Sequence, residues 1–135
     1  MLQTALREDA LTSRPGGFEL RIGLPWIRSM PLASVGGLSV DVDGAHVSAT
    51  VLLGERAVSP QELALERGWW FVQDRMVVTG AQKLAPGAHN VAVVFTLMVP
   101  YLQAGPGAPL VLPFHLEATL ELDGPAVASV SRDVA

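Results

Sequence analysis

Asp41-x-Asp43-Gly44-x-His46 puts two carboxylates and an imidazole into a short stretch, and these are ordinary ligands for a divalent cation. In extended chain the alternation of side chains places Asp41 and Asp43 on one face. The third carboxylate and the distal Glu of a calcium loop are missing, however, and Asp43-Gly44 is turn chemistry for a tight hairpin. A plain hairpin therefore explains the spacing better than a metal does. His115 and Glu117 also share a face, as paired ligands of a β-barrel metalloenzyme would, but a cupin-like site needs further ligands that the neighbourhood does not supply. Solvated strand residues are the better reading. His89 follows Pro86-Gly87 at a loop-to-strand corner, where a ring nitrogen is expected to bind a backbone carbonyl.

The three histidines stand far apart in sequence. There is no Gly-x-Ser-x-Gly elbow, no phosphate-cradling glycine loop and no cysteine. The expectation is a chain with no catalytic residues and no metal or cofactor of its own.

The aromatic segments carry more information. Trp26, Arg28, Ser29 and Met30 lie in a loop bracketed by Pro25 and Pro31, and Trp69-Trp70-Phe71 is followed by Gln73, Asp74 and Arg75. Large amphipathic rings beside guanidinium groups are the residue types enriched at binding hot spots. Trp69 and Phe71 must point away from Trp70 if the segment is extended. One set can then fill the core while the other is free for a partner or an aryl ligand.

These residues need a frame to position them. The chain has 135 residues, 13 Gly and 10 Pro, and the breakers recur at intervals that leave no room for long helices. The expected architecture is an antiparallel all-β sandwich, jelly-roll-like, with one short helix, forming a single domain over 1–135 with 1–14 and 126–135 as flexible or edge segments. Phe18 to Leu24 alternates strictly. Leu38–Val42 and Val47–Val51 flank the Asp43-Gly44 turn. Ser59-Pro60-Gln61-Glu62 reads as a capping box opening a helix over Pro60–Arg67, with Gly68 suited to its end. Trp69–Val78 reads as one strand. Leu110–Leu122 turns Phe114, Leu116, Ala118, Leu120 and Leu122 to the core, and His115, Glu117, Thr119 and Glu121 to water.

Val91 to Leu102 breaks this pattern. It reads Val-Ala-Val-Val-Phe-Thr-Leu-Met-Val-Pro-Tyr-Leu, apolar on both faces, so Val94, Met98 and Tyr101 join the candidate contact residues. A strand of a two-layer protein needs only one dry side, so another subunit or a bulky element of the same chain is expected to cover the second. Composition agrees: half the residues are hydrophobic, 16% are charged and mean hydropathy is +0.37. Without that cover the isolated chain is expected to self-associate or express poorly.

Charge and termini exclude other classes. Net charge is −4 and the nine basic residues are scattered, with no stripe for tracking phosphates, so nucleic acid is not an expected partner. No apolar run approaches the roughly 20 residues of a membrane helix, and the first residues lack a basic n-region with an apolar h-region. A soluble, cytoplasmic protein is expected.

Leu24-Pro25-Trp26-Ile27-Arg28-Ser29-Met30-Pro31-Leu32, Val40-Asp41-Val42-Asp43-Gly44, Trp70-Phe71-Val72-Gln73-Asp74-Arg75 and Gly87-Ala88-His89-Asn90-Val91 through Pro100-Tyr101-Leu102 resemble, in order and spacing, the β subunit of bacterial C-glycoside deglycosidases. The similarity runs from about Gly17 to Leu112. The resemblance implies a small β-sandwich subunit of a heteromer of higher order, assembled with a TIM-barrel α subunit that carries a divalent metal, Mn or Mg, and a His base. The complex so implied opens the carbon–carbon bond between a 3-oxo sugar and an aromatic aglycone. Trp26, Arg28, Ser29, Trp70, Gln73 and Asp74 carry over as motif positions without individual roles. Ile27 stands where that family commonly has Tyr, so any hydrogen bond made by that hydroxyl is lost.

Two other readings fit parts of the sequence. A carbohydrate-binding module would use Trp69 or Trp70 as a stacking platform, and a small cupin-like metalloenzyme would draw on His46, His89 or His115.

Overall fold

A computed structural model describes residues 5–26, 28–124 and 132–133, apart from the side chains of 100–104 and 132–133. Twelve strands form it: β1 (Leu11–Arg14), β2 (Gly17–Gly23), β3 (Met30–Pro31), β4 (Val35–Val42), β5 (Ala45–Val47), β6 (Ala49–Leu53), β7 (Arg56–Val58), β8 (Trp69–Trp70), β9 (Asp74–Gly80), β10 (Ala88–Gly105), β11 (Ala108–Glu121) and β12 (Arg132–Asp133). The first sheet runs β1-β2-β9-β6-β7, with β12 added in parallel to β9; the second runs β11-β10-β4-β5; and β3 pairs with β8. All other pairings are antiparallel, as expected for an all-β protein.

Period-2 alternation builds the core. β2 buries Phe18, Leu20 and Ile22, β9 buries Met76 and Val78, and from the opposite sheet come Val40, Val42, Val91, Val93 and Leu116, all in one cluster. The residues of β11 follow the expected phase: Leu116 and Leu120 are buried, Phe114, Ala118 and Leu122 pack half-buried against the core, and His115, Glu117, Thr119 and Glu121 are exposed. The N-terminal residues supply an edge strand, β1, as well as core side chains at Ala5, Leu6, Ala10 and Leu11. Asp123 ties this edge to the far sheet. Its carboxylate accepts from the Ser13 backbone N–H (2.8 Å) and hydroxyl (2.6 Å), and its own N–H donates to the Leu11 carbonyl (2.9 Å).

The structure corrects three local expectations. The segment after Ser59 is a 3₁₀ turn over Pro60–Leu65, not a helix to Arg67. Glu62 does reach back to the Ser59 N–H (3.0 Å), but only Leu63 is buried while Leu65 is 81% exposed, so a longer helix would have no second apolar turn to bury. Gly68 is not its cap. It packs against Leu32 instead: its carbonyl accepts from the Leu32 N–H (3.0 Å), and a Cβ there would stand 3.3 Å from Leu32 Cδ1.

Trp69–Val78 is two strands. The chain turns at Phe71, where the Asp74 N–H donates to the Phe71 carbonyl (2.9 Å), and this brings the Asp74 carbonyl to the indole N–H of the fully buried Trp70 (3.2 Å). A straight strand would bury that donor unpaired. Val47–Val51 is likewise divided: β5 pairs with β4 in the second sheet, the ladder stops at Ser48, and β6 pairs with β9 in the first. The chain thus changes sheets in one residue.

Candidate contact surfaces

Two surfaces collect the candidate residues. The first is the end of the sandwich where the loop after Leu24 meets the turn after Trp69. β3 and β8 hold them together through Met30↔Trp70 and Pro31↔Trp69, and the Val72 N–H donates to Ser29 Oγ (2.8 Å). Met30 and Trp70 are wholly buried, so they position this end and do not offer contact area. The Trp70 ring lies 5.9 Å from Phe95, which stacks on Phe114 at 5.5 Å. Around that anchor Arg28 and Gln73 are exposed, Trp26 is half-buried and packed on the core, and Asp74 is half-buried at the start of β9. Trp69, Phe71 and Val72 are each close to half exposed. Alternation set Trp69 and Phe71 opposite Trp70 but left open which set faces outward, and burial of Trp70 decides it; Val72 was not foreseen, because it follows the turn at Phe71. Ile27 lies outside the described residues.

The second surface is the outward face of β10 and its neighbours. Val91, Val93, Phe95, Leu97 and Val99 point inward and are at most 2% exposed, whereas Val94 and Met98 point outward at 40% and 41%. No described part of the chain covers them, so of the two covers expected for this strand the bulky element of the same chain is not found among the described residues. Tyr101 is on β10, but its side chain lies outside the described residues. The register adds residues that the sequence reading missed: Met98 faces Val111, Thr96 faces Pro113 and Val94 faces His115. Val111 is 49% exposed. The signal was available, since Val111 and Pro113 occupy the same phase of β11 as His115 and Glu117. On the other flank a register shift opposite Val94 and Thr96 contains Gly37 in the left-handed region (φ 60°), and a Cβ on Gly36 would lie 2.9 Å from Thr96 Oγ1. A shallow groove there is lined by Gly37, Val94, Thr96, Pro113, Phe114 and His115.

The histidines do not converge. His89 is structural: Nδ1 is 2.6 Å from Asp43 Oδ2 and Nε2 is 2.6 Å from the Ala85 carbonyl. With an acceptor at each nitrogen the ring is favoured as imidazolium, and the Ala85 carbonyl, then Asp43, raises its pKa. The same hydrogen bond from His89, then the Asn90 N–H, lowers the pKa of Asp43. Asp43 has φ 52° and exchanges backbone and side-chain hydrogen bonds with Asn90, so its role is to lock the β4–β5 turn to the start of β10. His46 Nδ1 stands 3.4 Å from Asp41, and His115 Nε2 4.0 Å from Glu117, both pairs exposed. Among the described residues no three His, Cys, Asp or Glu side chains are placed to hold a metal ion, and no helix is long and apolar enough to cross a membrane.

The chain is thus an all-β protein that keeps two apolar surfaces open beside one shared core. A family model described as C-glycoside deglycosidase beta subunit matches residues 3–101, a span that holds the aromatic end and β10 as far as Tyr101. The 3'-dehydrocarminate deglycosidase beta subunit of a Microbacterium species is 34% identical over 108 residues, covering 76% of this chain and 81% of that protein. A C-glycoside deglycosidase beta subunit of Arthrobacter globiformis is 29% identical over 103 residues (72% and 79%), and one from Microbacterium trichothecenolyticum 29% over 90 residues (62% and 67%). The chain belongs to the C-glycoside deglycosidase β-subunit family, and as a β subunit it is one part of an enzyme complex with an α subunit.

Proposed function

We propose that this chain is the non-catalytic small subunit of a heteromeric lyase that releases an aromatic aglycone from a 3-oxo-C-glycoside. Membership of the β-subunit family carries the reading, and the uncovered apolar surfaces support it, since a free-standing enzyme would have no use for them. Catalysis belongs to a TIM-barrel α subunit. There a His base takes the acidic proton on the carbon between the 3-keto group and the anomeric carbon, the enolate collapses, and the aglycone departs with the electron pair of the broken carbon–carbon bond and is protonated. A divalent Mn or Mg held by the α subunit would stabilise the enolate oxygen. This chain contributes assembly, and its aromatic end, with Trp69, Phe71 and Arg28, forms one wall of the pocket.

Co-expression with the α subunit encoded in the same genome tests this. The pair is expected to co-purify and to release aglycone from a 3-oxo-C-glycoside, while each subunit alone is inactive. Full activity of the α subunit without this chain would reject the reading.

A further inference from the structure

The two sheets differ in where they keep their cations. The first sheet carries Arg14, Arg21, Arg56, Arg75 and Arg132 in its strands. The four strands of the second sheet contain neither Arg nor Lys, yet Asp41, Glu117 and Glu121 stand on them in the outward phase. The outward face of that sheet therefore grades from an apolar end, Val94, Met98, Val111 and Pro113, to an acidic end where His46 stands near Asp41 and His115 near Glu117. A surface that met only water would be expected to mix both signs, as the first sheet does through Arg14, Glu19 and Arg21.

Among the described residues β11 has β10 on one side and no strand on the other, and Pro109 and Pro113 remove N–H donors that a strand added at that edge would need. The face, rather than the β11 edge, is the broader surface open to an occupant.

We propose that the outward face of β11-β10-β4-β5 is where the α subunit docks, and that the α subunit meets it with an apolar patch flanked by Lys or Arg side chains placed against Asp41, Glu117 and Glu121. This rests on the proposed function and adds the location and chemistry of the contact: the sheet face carries assembly, and the aromatic end is left for the pocket. Apolar burial supplies affinity while the acidic end sets orientation and on-rate.

Binding of the co-expressed α subunit to purified variants tests it. Val94→Arg and Met98→Arg, each placing a cation in the apolar end, are expected to weaken the complex by about thirtyfold or more. Glu117→Lys is expected to cost about five- to tenfold and to flatten the salt dependence of association. Ala57→Arg, on the exposed side of β7, is expected to bind as the wild type does. Peroxide oxidation of Met98 in the unaltered complex gives a readout independent of variant folding, and it is expected to be several-fold slower than in the free chain. Wild-type affinity in the β10 variants, unslowed Met98 oxidation in the complex, or a face buried only between two copies of this chain would each overturn the inference. Failure of the wild-type chain to bind the α subunit at all would instead overturn the proposed function.

Discussion

The outward faces of the two sheets come from strands with the same alternation, yet they are finished differently. On the first sheet Arg21 donates to Thr12 Oγ1 (3.0 Å) and to Glu19 (3.1 Å), Arg14 approaches Glu19 at 3.5 Å, and Val77, cross-strand from Arg21, is only 5% exposed although it stands outside the main core cluster. Long side chains cover that face from within the chain. On the second sheet Ala92, Val94, Thr96 and Met98 are too short or too apolar to cover their neighbours, and its four strands contribute no guanidinium that could do so. One face is covered by the chain's own side chains, and the other leaves Val94, Met98 and Val111 at 40–49% exposure.

The comparison can be broken by substitutions on either side of a single strand. Phe95→Ala, inward on β10, is expected to cost about 3–5 kcal/mol of stability in a urea titration, because it removes the ring that joins Trp70 to Phe114 and leaves a cavity. A loss below about 1 kcal/mol would mean that the inward face is not the packed one.

Next in size is the clasp that holds the second sheet together. His89 has a raised pKa in the folded state, so its contribution is complete below the ordinary value of 6.5 and is lost as pH climbs through the folded value. Asp43 has a lowered pKa, so its contribution is complete above 3.8 and is lost as pH falls through the folded value. The stability gap between wild type and His89→Gln is therefore expected to be widest between about pH 4 and pH 6.5 and to narrow at about pH 8.5. A gap that widens with rising pH would refute the imidazolium assignment.

Arg21→Ala should cost about 1 kcal/mol, as Val77 loses its cover and Glu19 its closer partner. The smallest change belongs to the open face. Val94→Thr should shift the stability of the isolated chain by no more than about 0.5 kcal/mol, since its side chain points outward and is 40% exposed. A larger loss would show that the outward face is already covered without a partner.

Much of the fold was legible because β structure writes itself in period 2. The faces of β2 and β11 follow from alternation alone, and the Asp43-Gly44 hairpin from its turn chemistry. The structural role of His89 was readable from its place after Pro86-Gly87, although the second partner, Asp43, is 46 residues away in sequence and had no local signature. Of the candidate site, family resemblance marked the loop of Trp26, Arg28 and Ser29 and the segment of Trp70, Gln73 and Asp74 as motif positions, but their meeting in space was not legible. The β3–β8 pairing and the Val72–Ser29 hydrogen bond supply its physical basis. Met30 and Trp70 show the limit of reading residue types: a ring suited to a hot spot proved to be the anchor beneath it.

By itself the sequence determined which side chains alternate, where the breakers fall, and that one strand carries apolar groups on both sides. Only the tertiary structure decided that the chain changes sheets at Ser48, that it turns at Phe71 to satisfy a buried indole, and that the second face of β10 stays open while Val77 on the other sheet is covered. Periodicity is a local property, set by the geometry of a single strand. Coverage depends on which distant side chains are long enough to reach, and that is fixed only when the sheets are paired and in register.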